Sequence, residues 1–149
     1  MKDWKGPHKC IYISIDTLIY FLFSVALTAC SKGQTLKSGD VVKFSNVKSN
    51  YGLQNLKLFK QTGIFTCEQK GLYMFFSNMV SNTAIGYFHW FVNNSKRLSA
   101  IYVSYEDVFQ AGSGMVTLEL AVGDTVSLKS YNSNISISSL SCYTLIKIK

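Results

Sequence analysis

The feature that most constrains the fold is a succession of short apolar runs downstream of residue 40. The runs are rich in Val, Ile, Phe, Tyr and Thr and are separated by clusters of Gly, Asn and Ser, with no competing helical stripe. Strands at this spacing are typical of an all-β sandwich or barrel. The predicted strands cover residues 41–47, 57–59, 63–67, 72–80, 84–92, 98–104, 115–120, 125–130 and 140–148.

Alternation within one run predicts which side chains share a face of the sheet. In an extended strand, successive side chains point to opposite faces of the sheet. Residues 72–80 therefore divide into two faces, one with Leu72, Met74, Phe76 and Asn78 and the other with Tyr73, Phe75, Ser77 and Met79. With 149 residues and no internal repeat, the chain has room for one such domain with its own core.

The charge is modest and scattered. The chain carries a formal charge of +7, and residues 33–149 hold eleven basic and six acidic residues, a charge of +5. The only adjacent basic pair is Lys96-Arg97, whereas nucleic-acid sites cluster their cations on one helix or stripe. We therefore expect a solvated basic surface rather than a nucleic-acid partner.

The amino-terminal segment resembles a secretory leader. Residues 10–31 follow Lys2, Lys5 and Lys9, and fifteen uncharged residues lie between Asp16 and Lys32. This length fits the apolar region of a signal peptide, but a membrane span needs about twenty apolar residues. The four residues ending at Cys30 also resemble a bacterial lipoprotein box, in which that cysteine would carry lipid.

The residues do not indicate an enzyme or a metal protein. Nucleotide-binding, nucleophile-elbow and zinc-protease motifs are missing from the sequence. Glu106-Asp107 is the only adjacent acidic pair, and two neighbours in a strand point to opposite faces. His89, in the apolar run 87–91, is expected to be a structural histidine of a sheet. The four cysteines do not have the spacing of a zinc site with the histidines. These cysteines are Cys10, Cys30, Cys67 and Cys142.

Residues 65–75 resemble the signature of the C1q globular-domain family, with Phe65, Gly71, Tyr73 and Phe75 at its fixed positions. Further similarities follow in chain order: an Asn93-Asn94 turn, a stretch at 110–114, a strand pair around Gly123-Asp124 and a closing strand at 140–145. Cys142 stands in that closing strand where the family has Gly, and Leu53 departs from the longer signature.

The resemblance implies a ten-stranded jelly-roll β-sandwich of the C1q and tumour-necrosis-factor type, with two five-stranded sheets. It divides the chain into a leader-like segment at 1–23 and a domain at 24–149, whose first strand would include 25–31. Cleavage after Ala29 or Ser31 would remove that strand. First and last strands are neighbours in the family, which places Cys30 near Cys142 and implies a disulfide there, with Cys67 unpaired.

The family assembles into homotrimers through apolar contacts. Some of the aromatic residues would therefore lie between subunits, with a filled core as the equal alternative: Tyr73, Phe75, Phe88, Trp90 and Phe91. Secretion would make Asn93 and Asn134 N-glycosylation acceptors, because each begins an Asn-x-Ser sequon.

The family resemblance implies a secreted, stalkless, non-enzymatic protein that binds microbial glycans or lipopolysaccharide in innate immunity. The alternative is a cytokine-like or synaptic-type ligand for a protein receptor. Charge alone singles out Lys96, Arg97 and Lys129 as candidates for meeting anionic groups. Some relatives hold calcium near the trimer apex, but residues 131–136 contain no carboxylate, which argues against a site of that type.

Overall fold

The computed structural model describes residues 25–81, 86–103, 109–132 and 134–149, including the backbone but not the side chains of Lys96 and Arg97. These residues form eleven strands and one short helix, in two antiparallel sheets that pack around a shared core. The predicted all-β sandwich is therefore confirmed. The predicted leader and Glu106-Asp107 lie outside the described residues.

The elements follow one another in chain order. They are β1 (Ala26–Cys30), β2 (Gln34–Leu36), β3 (Asn46–Tyr51), α1 (Leu56–Thr62), β4 (Phe65–Thr66), β5 (Gly71–Ser81), β6 (Gly86–Val92), β7 (Lys96–Val103), β8 (Gln110–Leu120), β9 (Thr125–Ser130), β10 (Ile135–Ile137) and β11 (Cys142–Lys147).

The larger sheet has seven described strands. Its order is β2-β10-β5-β11-β1-β3, and β8 also pairs with β5. β1 lies between β11 and β3, with Leu27 opposite Leu145 in an antiparallel register. The first and last strands of the domain are thus neighbours, as the resemblance implied. The strands do not divide five and five, because the short pair β2–β10 extends the larger sheet.

The smaller sheet has four described strands in the order β4-β9-β6-β7. The hairpin β6–β7 turns at Asn93 and Asn94, whose φ angles are +49° and +59°, and Ser95 N–H donates to Val92 O at 3.2 Å. Two central residues with positive φ define a type I′ turn, whose twist matches that of a hairpin, and asparagine tolerates this conformation.

The core lies between the two sheets and is rich in rings. In β5 the side chains of Tyr73, Phe75, Ser77 and Met79 are buried, which confirms the predicted alternation. Trp90 of the opposite sheet lies 6.1 Å from Phe75 and 5.8 Å from Tyr143, measured between ring centroids. Burial of these rings, together with the aliphatic side chains around them, stabilises the sandwich.

Two strand predictions are wrong: residues 57–59 belong to the helix α1, and of residues 41–47 only Asn46 and Val47 lie in a strand, at the start of β3. Phe59 is buried in the core. The Glu68 carboxylate accepts two backbone N–H groups just ahead of the helix, at 2.9 and 2.6 Å. Gly63, at φ +74°, ends it and donates its N–H to Phe59 O at 2.7 Å. Packing and these end contacts stabilise a helix too short to show helical periodicity in the sequence.

Candidate recognition surfaces

The family signature residues build the core rather than a ligand site. The ring centroids of Phe65, Tyr73 and Phe75 lie 5.4 to 6.2 Å from one another. A Cβ on Gly71 would lie 2.1 Å from the backbone oxygen of Lys149, so only glycine fits where the residues after β11 run alongside β5. These four positions are therefore explained by packing.

The remaining signature pair, Gly123-Asp124, forms a turn tied to the β6–β7 hairpin. Asp124 accepts the N–H of Ala121 at 2.8 Å and the side-chain amide of Asn93 at 2.9 Å. Both hydrogen bonds stabilise the ionised carboxylate and so lower the pKa of Asp124, and the bond from Asn93 has the larger effect. The Asn93 amide oxygen accepts the N–H of Thr125 at 2.9 Å. Asn93, a predicted glycosylation acceptor, therefore also joins two turns.

The other predicted acceptor, Asn134, is exposed and has a φ of +61°. It directly precedes β10. The attachment of glycan at either asparagine stays a prediction.

The larger sheet exposes a group of apolar side chains on the side away from the core. We call it the open face. Phe76 and Met115 stand opposite each other in the β5–β8 register and expose 40% and 57% of their surface. Half-buried apolar side chains lie on the same side of two strands: Leu72, Met74 and Val80 of β5 and Ile146 of β11. Polar side chains are interspersed among them on this face, including Asn78, Thr117 and Thr144.

The structure joins Cys30 to Cys142 by a disulfide, where the resemblance placed it. The two residues are cross-strand partners in β1 and β11. The bridge thus links strands that are adjacent in the sheet and far apart in the sequence. Cys67 is buried with a free thiol, which donates to Gln69 O at 3.2 Å.

The smaller sheet carries three exposed tyrosines in one row, which we call the tyrosine strip: Tyr131, Tyr87 and Tyr102. Tyr87 and Tyr102 are cross-strand partners whose ring centroids lie 4.9 Å apart. Tyr131, just after β9, donates its backbone N–H to Tyr87 O at 2.8 Å. They expose 58%, 37% and 47% of their surface, respectively.

A second row lies beside the strip. His89 is the β6 neighbour of Lys129 on β9 and of Ala100 on β7, and its ring meets Tyr131 edge-on, with centroids 5.3 Å apart. The Lys129 ammonium lies 4.9 Å from the centroid of Phe91 and donates to the Asn94 side-chain oxygen. This places one predicted candidate, Lys129, beside an aromatic surface.

The other two charge candidates start β7. The backbone of Arg97 pairs with Phe91, and that of Lys96 pairs with Val92, while both side chains lie outside what the structure describes. Their strand positions are therefore near Phe91, which the Lys129 ammonium contacts.

For most of the aromatic residues singled out in the sequence, the structure shows the filled-core alternative. Tyr73, Phe75, Phe88 and Trp90 are buried within the sandwich, because they lie on strand faces that point between the sheets. They are therefore excluded from any subunit contact. Sequence reasoning missed Phe76 and Met115 as the most exposed apolar side chains of the open face, and it missed the tyrosine strip.

Alternation over residues 87–91 was the available signal for the strip, since it groups Tyr87 with His89 and Phe91. The pairing of Tyr87 with Tyr102 depends on the β6–β7 register. That register includes an irregularity between His89 and Phe91. Counting residue pairs back from the β6–β7 turn therefore does not predict that Tyr87 and Tyr102 are partners.

No group of three or more metal-ligating side chains is found in the described parts of the chain. None of the described segments forms a helix with the length and apolar character needed to cross a bilayer. The sandwich thus offers two sheet faces of different chemistry, one apolar and one aromatic with a cation.

The two sheets, their strand order and these faces define the class of the protein as a jelly-roll sandwich. The chain belongs to the C1q domain family, whose model matches residues 22–144. No curated protein sequence matches it.

Solved structures agree on the fold. The globular domain of zebrafish complement 1qA protein matches with a TM-score of 0.68 at 18% identity, covering 84% of this chain and 98% of that one. Murine APRIL at pH 8.0 matches with a TM-score of 0.62 at 14% identity, covering 83% and 98%. Eiger TNF from S. frugiperda matches with a TM-score of 0.62 at 12% identity, covering 86% and 94%. The predicted fold class is confirmed.

Proposed function

We propose that this chain is a secreted C1q-domain recognition protein that forms a homotrimer and binds microbial surface carbohydrate or lipopolysaccharide without catalysis. The observation that carries the proposal is the open face. Soluble monomers rarely leave large contiguous apolar patches in water, and such patches mark sites of contact. A second copy of the same chain is the occupant that the family resemblance favours.

Self-assembly would give the protein its binding strength. Three copies around a threefold axis carry three identical ligand sites in a fixed arrangement. A surface with repeating sugars engages several sites at once, so avidity exceeds the affinity of one site without any new contact. Repetition is a property of microbial glycans, and it suits a rigid assembly with weak individual sites.

A glycan array tests the proposed recognition. The secreted protein is applied to immobilised microbial oligosaccharides and lipopolysaccharides, and bound protein is then challenged with free sugar. We expect binding that free sugar competes away. Saturable binding to cells stripped of glycans, with no glycan bound on the array, would instead support the cytokine-like or synaptic-type receptor ligand.

The variant Phe76→Ser probes the contribution of assembly to the same measurement. It removes an exposed ring from the open face and leaves the smaller sheet unchanged. We expect weaker retention on a densely coated sugar surface, because a monomer engages one site at a time. Leu58→Gln is the control, since it removes an apolar side chain of similar exposure, 48%, from α1.

Secretion requires that the predicted leader be removed without damage to the domain. β1 is an interior strand of the larger sheet, and Val25, just before it, is buried. We therefore place the cleavage upstream of Val25, in keeping with a leader at 1–23. Amino-terminal sequencing of the secreted protein checks this; a mature protein starting at Cys30 or Lys32 would contradict it.

A further inference from the structure

We infer that the tyrosine strip and the Lys129 ammonium beside it form the carbohydrate-binding surface, and that the ligand is an anionic glycan, a pyranose chain bearing phosphate or carboxylate groups. The inference rests on the proposed recognition of carbohydrate, for which it names the surface and the ligand chemistry. Its basis is the juxtaposition of three exposed rings, one positioned cation and a small hollow on one sheet face.

The rings provide a flat apolar surface with polar rims. The face of an aromatic ring is electron-rich, and the C–H groups on one side of a pyranose present weakly positive hydrogens to it. Each tyrosine hydroxyl can donate or accept a hydrogen bond, which suits the hydroxyl groups at the edge of a sugar. Neighbouring strands are about 4.8 Å apart, so three tyrosines extend over about 10 Å.

Two contacts hold the Lys129 ammonium in one position on the surface. Lys129 is held by the Phe91 ring and by the Asn94 side-chain oxygen. An ammonium carries three N–H donors, so two remain for a ligand after the bond to Asn94. Among the described side chains on this face of β6, β7 and β9, none is acidic. Two acids border the surface, Asp40 beside β9 and Asp124 next to the β6–β7 turn. The positive charge is therefore local to Lys129, where it is complementary to an anionic substituent.

A hollow beside the strip limits the size of what enters it. It has a volume of about 200 Å³ and is lined by His89, Leu98, Ser99 and Ala100. Pockets for drug-sized ligands measure about 300–1,000 Å³. The hollow therefore fits one small group, such as a sugar ring or its substituent, next to the rings that would stack on the adjoining sugars.

The dimensions favour a glycan over a protein partner. The strip and the row of Lys129 and His89 cover about 10 Å across the strands and about 7 Å along them, on the order of 100 Å². A stable protein interface buries about 800 Å² on each partner. A second copy of the chain is assigned to the open face, on the opposite side of the sandwich.

The test uses the intact secreted protein and an array of immobilised neutral and phosphorylated or carboxylated oligosaccharides. Tyr102→Thr and Tyr131→Thr each remove one exposed ring, and Lys129→Gln removes the cation. The controls are Leu58→Gln and Lys57→Gln, which remove an exposed apolar side chain and an exposed cation from α1. All variants alter solvent-facing side chains, and sedimentation and thermal unfolding verify that each remains folded and assembled.

We expect the wild type to bind the anionic sugars more tightly than their neutral counterparts. Each tyrosine variant should bind all of them about tenfold more weakly, Lys129→Gln should lose the preference for anionic sugars, and the α1 controls should bind like the wild type.

The possible failures are distinguishable. Glycan binding by the wild type that survives both tyrosine substitutions unchanged would overturn the assignment of the surface and leave the proposed function standing. A wild type that binds no glycan would overturn both. Variants that lose binding only to glycan-stripped cells would identify a protein receptor on the strip and overturn the ligand chemistry.

Discussion

Opening the Cys30–Cys142 disulfide should lower the free energy of unfolding by several kcal/mol. The bridge joins residues 112 positions apart. In the chain-entropy model, closing a loop of this length removes about 4.8 kcal/mol of conformational freedom from the unfolded chain at 25 °C. Because unfolded chains retain some structure, we expect a loss of about 3–5 kcal/mol for the double variant Cys30→Ser, Cys142→Ser.

Equilibrium urea unfolding in non-reducing buffer measures this difference, with the fluorescence of the buried Trp90 as one signal. Protein concentration must be matched between samples, since the proposed assembly would make the apparent stability depend on it. Cys67→Ser is the control, because it changes a buried cysteine without opening a loop and should cost only about 1 kcal/mol. A difference below about 1 kcal/mol between the double variant and wild type would refute the entropic reasoning.

Four substitutions of single side chains give further predictions. Phe76→Ser should shift the proposed assembly toward monomer in sedimentation velocity. The exposed 40% of Phe76 is about 80 Å² of an aromatic side chain, and covering it stabilises the assembly by about 2 kcal/mol per copy. An unchanged sedimentation profile would contradict this. Tyr143→Phe should raise the free energy of unfolding by about 1 kcal/mol, because the buried hydroxyl finds no hydrogen-bond partner among the described residues. Tyr73→Phe should lower the free energy of unfolding by a similar amount, since the Tyr73 hydroxyl donates to Gln69 O at 2.6 Å. If urea unfolding shows that the two tyrosine variants change stability in the same direction, the comparison is refuted. Asn93→Ala should raise the pKa of Asp124 toward its ordinary value, as carboxyl NMR titration would show; an unmoved pKa would mean that the Ala121 N–H controls it.

The acid sensitivity of that turn has a definite sign. The pKa of Asp124 is lower in the folded protein than in the unfolded chain, where the pKa of aspartate is about 3.9. Its contribution to stability is therefore present above that pH and lost as the pH falls through the folded pKa. Asn93→Ala should weaken this dependence.

Strand alternation was the most informative part of the sequence. It placed Tyr73 and Phe75 on one face and Phe76 on the other, because the side-chain period of a strand is fixed by backbone geometry; the structure shows that the first face is the buried one. The pairing of Cys30 with Cys142 came from the family resemblance, since periodicity does not show which distant strands are neighbours.

The rest depends on contacts between distant parts of the chain. α1 was read as a strand because its stability comes from the burial of Phe59 and from the Glu68 carboxylate, neither of which is a local signal. The tyrosine strip requires the β6–β7 and β6–β9 pairings to be known together. A recognition surface that spans several strands therefore cannot be predicted from the pattern of any one strand.

Sedimentation equilibrium of the secreted protein tests assembly through the open face most directly. The proposed homotrimer, with Phe76 and Met115 buried between copies, predicts a mass three times that of the mature chain, independent of the optical signal used. A mass equal to one chain across micromolar concentrations would contradict the proposed homotrimer and, with it, avidity as the source of binding strength.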